Sequence, residues 1–68
     1  MPNDQILLLR LPAVLARTGL SRSQIYRLVA AGRFPRPVRL AGTTSKAWSS
    51  TAVTAWIESQ INQSAERA

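Results

Sequence analysis

Arg22, Ser23, Tyr26 and Arg27 lie within six residues of one another. Together they offer two guanidinium forks, an aliphatic hydroxyl and a phenolic hydroxyl. At 100° per residue, Ser23, Tyr26, Arg27 and Ala30 fall on one side of a helix, with Arg22 and Arg33 at the flank. An Arg fork grips phosphate or guanine through paired hydrogen bonds, whereas Lys acts as a point charge. Eight of the nine cations in the chain are Arg. This set of groups is equipped to hold an anion. It is not equipped for acid–base or covalent catalysis: the only acids are Asp4, Glu58 and Glu66, widely spread, and there is no His or Cys. No acid/base pair, thiol nucleophile or ordinary zinc site can be drawn from these residues, so no cofactor or metal and no enzymatic activity is expected.

The residues around these four specify how they are presented. Gly19 can take a positive φ and stop a preceding helix. Ser21 is a good N-cap, and Gln24 three residues later completes a capping box. Leu20 and Ile25 have the spacing of a hydrophobic staple. Ile25, Leu28, Val29 and Gly32 share the face opposite Ser23 and Arg27, which makes that face the core side. Upstream, Pro12 suits a first helical turn, and Leu11, Val14, Leu15 and Thr18 follow the i, i+3, i+4, i+7 spacing. The first helix is therefore expected over residues 12–18 and the second over residues 22–31, with Gly32 as its stop. Two helices joined by such a turn make a helix-turn-helix, whose second helix fits a DNA major groove.

The remainder of the chain carries weaker local signals. Ile6-Leu7-Leu8-Leu9-Arg10 is either a short strand or a segment packed on the core, and the run is too short to decide. Phe34-Pro35-Arg36-Pro37 is no helix interior. Val38-Arg39-Leu40 alternates as a strand does, residues 41–45 have turn chemistry, and Lys46-Ala47-Trp48 returns as the partner strand, with Trp48 facing the Val38–Leu40 strand. Ser49 or Ser50 caps a third helix in which Val53, Trp56, Ile57 and Ile61 form the apolar stripe. Trp48, Trp56 and Phe34 are either stacking platforms for single strands or core, and a chain of 68 residues needs them as core. The fold class is mainly α with a small β-hairpin: a minimal winged helix-turn-helix of three helices and a wing over residues 1–61, followed by a polar tail over residues 62–68 that is expected to fray.

These residues resemble a known family. Arg10-Leu11-Pro12, Val14-Leu15, the run TGLSRSQIYRLVAAGRFPRPVRL from Thr18, and then Trp48, Val53 and Trp56-Ile57 are similar to the AlpA-type phage and prophage regulators, within the wider MerR-like and excisionase-like group of small winged helices. The resemblance covers residues 9–58. Two positions depart from the family pattern: Ala13 stands where an acidic residue is usual, and residues 43–47 of the wing lack the usual Arg and Gly. The resemblance implies a DNA-binding protein of an integrated mobile element, controlling transcription of an integrase or excision gene, or acting as an excisionase that bends attachment-site DNA.

On both grounds the expected partner is double-stranded DNA. Arg22, Ser23, Tyr26 and Arg27 are assigned to the recognition helix: Arg27 to a guanine, Ser23 to a base or phosphate, and Tyr26 either to a phosphate or to the rim of the core. Arg33 and Arg36 flank the approach to the wing and are assigned to the DNA backbone. Arg39 and Lys46 run along the wing, toward phosphates or the minor groove. Arg10 and Arg17 receive no role. The net charge of +6 supports a polyanionic partner. A basic module docking on an acidic protein is the alternative from another class. Neighbouring copies on DNA, an integrase or RNA polymerase are further candidate partners. No run approaches the ~20 apolar residues of a membrane span, and the opening residues lack the basic start of a signal peptide. The absence of Cys fits the cytoplasm, and with DNA as partner the bacterial nucleoid.

Overall fold

The turn between the first two helices is built from the residues chosen for it. In the computed structural model, which describes residues 5–67 and side chains through residue 65, helix α1 spans Leu11–Thr18 and helix α2 spans Arg22–Ala30. Met1 to Asp4 and Ala68, parts of the expected polar lead-in and tail, lie outside the described residues. Gly19 has φ 76° and its N–H donates to the Leu15 carbonyl at 2.8 Å, which closes α1. Ser21 then forms the complete capping box: the Gln24 N–H donates to Ser21 Oγ at 3.2 Å, and the Ser21 N–H donates to Gln24 Oε1 at 2.9 Å. At the other end, Gly32 (φ 72°) donates to the Val29 carbonyl and Arg33 to the Leu28 carbonyl. That pair of bonds is a Schellman closure, which needs a left-handed residue and is the reason α2 stops here.

The wing is larger than a two-stranded hairpin. Strand β1 (Leu8–Leu9), β2 (Val38–Arg39) and β3 (Lys46–Ser49) form one antiparallel sheet in the order β1-β3-β2. Thus the segment after Ile6, which sequence left open, is a strand. It is fastened by the Ser50 N–H to the Leu7 carbonyl and by the Leu7 N–H to Ser50 Oγ, both at 2.8 Å. The register corrects one expectation. Trp48 lies opposite Leu9 on β1; on the other side, Val38 faces Ala47 and Arg39 faces Lys46. The tip sets this register, because the Leu40 N–H donates to the Ser45 carbonyl and Thr43 bonds back to the Leu40 carbonyl. With β3 central, the two faces of the sheet are both covered at Ala47 and Trp48, which are buried although they point in opposite directions.

Helix α3 (Ser50–Arg67) starts where expected, with Ser49 Oγ accepting from the Ala52 N–H. It runs to Arg67, and residues 62–67 contain no Gly or Pro to interrupt the ladder. Ile61 is not part of the packed stripe: it is 61% exposed, whereas Trp56 and Ile57 pack against the core.

The core is one buried residue from nearly every segment: Val14 of α1, Ile25 of α2, Phe34 of the connection, Trp48 of β3 and Val53 of α3. A ring contact and a hydrogen bond tie these segments together. Phe34 meets Trp56 edge-on at 4.9 Å between centroids, and the Trp48 Nε1–H donates to the Pro35 carbonyl at 2.9 Å. Trp56 is half-buried, and its Nε1–H donates to the Arg33 carbonyl at 2.7 Å, pinning the end of α2 to α3. Trp56→Phe keeps a ring against Phe34 and removes that bond. It should therefore cost about 0.5–1.5 kcal/mol in urea unfolding, the net worth of one hydrogen bond.

Candidate nucleic-acid interface

Helix α2 has the rotational phase that its sequence predicts. Ile25 is fully buried, Leu28 and Val29 are half-buried, and Arg22, Ser23, Tyr26 and Arg27 are exposed. Nine residues give a helix about 13 Å long, comparable with the ~12 Å width of a DNA major groove. Arg22 is the first helical residue, followed by Ser23, so both stand at the positive end of the helix dipole. Tyr26 does two things at once. Its ring lies 6.5 Å from that of Trp48, tilted by 58°, and it is still 43% exposed. The two roles left open for Tyr26, core rim and surface hydroxyl, are therefore compatible in one rotamer.

A groove of about 530 Å³ runs between α2 and the wing. Arg22 and Tyr26 line one wall, and Thr44, Ser45 and Lys46 line the other. The structure thus brings together three of the residues singled out in sequence, Arg22, Tyr26 and Lys46. Ser23 and Arg27 stand on the same exposed side of α2 but do not line this groove. Arg39 is joined to it through the sheet: it is the cross-strand partner of Lys46, so both side chains leave the same face. Like charges directly opposite are unfavourable by themselves, and a bound anion relieves the repulsion. Arg33 and Arg36 are elsewhere. Arg33 lines a separate groove with Leu28, Trp56 and Gln60 of the α2–α3 junction. Arg36 is exposed in the connection, between half-buried Pro35 and Pro37.

The same groove contains one cation that sequence reasoning left without a role. Arg10 lines it together with Leu11 and Pro12 at the start of α1. The available signal was the Leu9–Trp48 pairing, which places the next residue beside β3; that pairing depends on a partner about forty positions away and cannot be read locally. Arg17, also unassigned, faces another way and donates to Thr54 Oγ1 of α3 at 2.8 Å. Glu58 lies in a further groove with Ser50 and Thr54. Among the described residues no three His, Cys, Asp or Glu side chains gather as a metal site, and no helix is long and apolar enough to cross a membrane.

A family model described as Prophage CP4-57 regulatory protein (AlpA) matches residues 7–61. The chain belongs to the AlpA family. The AlpA match runs from just before β1 to Ile61 of α3, and so includes all three helices, the sheet and every candidate contact residue from Arg10 to Lys46. A relative in Enterobacteria phage P4, "Uncharacterized protein ORF88", is 47% identical over 53 residues, which cover 78% of this chain and 59% of the relative. The chain therefore spans less than two thirds of that relative's length. The family's description is that of a prophage regulatory protein, and the minimal winged helix-turn-helix described above is this chain's fold.

Proposed function

We propose that this AlpA-family chain binds double-stranded DNA sequence-specifically and regulates a phage or integrated mobile element, through transcription of its integrase or excision genes. The observation that carries the reading is the exposed Arg22–Arg27 face of α2, set beside a basic wing across a shared groove. In this reading α2 enters the major groove. Arg27 pairs with a guanine edge and Ser23 reaches a neighbouring base or phosphate. Arg39 and Lys46 of the wing lie along the flanking backbone or minor groove. Arg33 and Arg36 add contacts from the connection between α2 and β2. The family description, a prophage regulatory protein, supports the biological setting.

Arg27→Ala tests the assignment directly. It should cost roughly 1–3 kcal/mol on the specific site and relax the preference at one base position, measured by competition on a set of single-base variants. Because Arg27 is exposed and Ile25, Leu28 and Val29 carry the packing, the melting temperature should hardly move. Intact affinity and unchanged preference would show that Arg27 does not read a base. A promoter reporter set beside a reconstituted integrase reaction separates gene activation from direct control of excision.

A further inference from the structure

Arg10 is a poor choice for its position if only folding matters. It is the N-cap of α1, with φ −80° and ψ 166°, and its side chain makes no capping hydrogen bond. Ser, Thr, Asp or Asn there would satisfy an otherwise unpaired amide. Its charge also faces the positive end of the α1 dipole. Helix α2 is fully capped by Ser21 and Gln24, but it too begins with a cation, Arg22, and neither helix has an acidic residue in its first turn. Both helix starts open on the same groove, where Lys46 adds a third cation and the rim carries the Tyr26, Thr44 and Ser45 hydroxyls. Three like charges and two positive helix ends around one space disfavour the free state. Locally unfavourable choices that concentrate at one place mark a functional site.

We propose that this groove is the seat of one backbone phosphate of the DNA duplex, and that Arg10 is one of its principal ligands. The inference rests on the DNA-binding reading above and adds a contact from outside both the recognition helix and the wing. The chemistry selects a phosphodiester over a base edge. Ser23 and Arg27, the residues assigned to base edges, do not line the groove, and its cations and hydroxyl-bearing side chains supply donors that match phosphate oxygens. The contact is also rigidly mounted. Arg10 directly follows Leu9, which is paired with buried Trp48 of the central strand, so the phosphate ligand is anchored to the core. A phosphate held there fixes the depth and rotation at which α2 sits in the major groove, which is the positioning role of backbone contacts.

The test uses the whole chain, two unrelated 20-base-pair duplexes, and a salt series followed by fluorescence anisotropy, alongside thermal melts. Arg10→Asn installs a good N-cap and removes the charge from the dipole end, so its melting temperature should rise. Its affinity should fall about tenfold on both duplexes alike, and the slope of log K against log salt should become shallower by about 1. Arg10→Lys should keep the wild-type slope while binding more weakly than Arg. Unchanged affinity and slope in Arg10→Asn would overturn the proposal. So would a lowered melting temperature, which assigns Arg10 a structural role, or a loss confined to one duplex, which makes it a base contact. A wild-type chain that binds neither duplex would instead remove the DNA-binding reading itself.

Discussion

Trp48→Ala should cost roughly 3–5 kcal/mol, a large share of the stability of a chain this small. Trp48 is 1% exposed and is the largest fully buried side chain. It lies opposite Leu9, 6.5 Å from the Tyr26 ring, and bonded through Nε1 to the Pro35 carbonyl, so one side chain holds β1, α2 and the approach to the wing together. Truncating a buried Trp costs roughly 3–5 kcal/mol. A chain of 68 residues has a total stability of only about 3–10 kcal/mol. The substitution also leaves the Pro35 carbonyl without its donor, a further penalty for a partly buried group. Far-UV circular dichroism through a urea titration measures the outcome. A cooperative transition with less than about 2 kcal/mol lost would mean that the sheet and α2 are held by something other than this residue. Trp56→Ala should be milder, because Trp56 is half-buried and shares its contact with Phe34. By sequence the two tryptophans have equal claims on the core; their different exposure separates them.

The parts of the fold legible in sequence are those whose causes are local. Gly19, the Ser21–Gln24 box and Gly32 each act within five residues, and each does in the structure what its chemistry predicts. The exposed side of α2 follows from periodicity in the same way. What escaped is non-local. Leu8–Leu9 is too short to show an alternation, and it becomes a strand only because Trp48 and Ser49 return beside it. Once β1 is unread, the partner of Trp48 is misassigned and Arg10 has no neighbourhood, so the third cation of the groove is missed as well. The last turns of α3 are a different case. A polar run without Gly or Pro fits both a frayed tail and a continuing helix, and hydrophobic periodicity cannot distinguish them. The apolar phase of α3 extends to Ile61 in sequence but only to Ile57 in the packing, because a periodic stripe records what a helix could bury and not whether anything covers it.

Binding to DNA should depend steeply on salt and should be cooperative on repeated sites. Seven cations are assigned to DNA contact: Arg10, Arg22, Arg27, Arg33, Arg36, Arg39 and Lys46. If five to seven of them neutralise phosphates, the slope of log K against log salt is about −4 to −6. Raising salt from 50 to 200 mM then weakens binding roughly 300- to 4,000-fold. A single small module covers only about 600–1,000 Å² of its own surface on DNA. With so much of the affinity electrostatic and so little area left for base contacts, one copy should select its site poorly. Specificity is then expected from adjacent copies on repeated sites, helped by DNA bending. Apolar surface is available for such contacts away from the α2 face: Ile6, Leu7 and Leu8 at the β1 edge of the sheet are 67%, 56% and 55% exposed, and Ile61 projects from α3. Sedimentation without DNA should show a monomer, since these are small patches on a chain of net charge +6. Mobility shifts on DNA with two or more sites should pass directly to multi-copy complexes, and substituting Leu8 and Ile61 by Ser should remove that cooperativity while sparing binding to a lone site. Non-cooperative nanomolar binding of one chain to one isolated site at physiological salt would show that a single copy suffices and that those apolar residues have no part in recognition, and a stable dimer free in solution would show that copies pair before they meet DNA rather than on it.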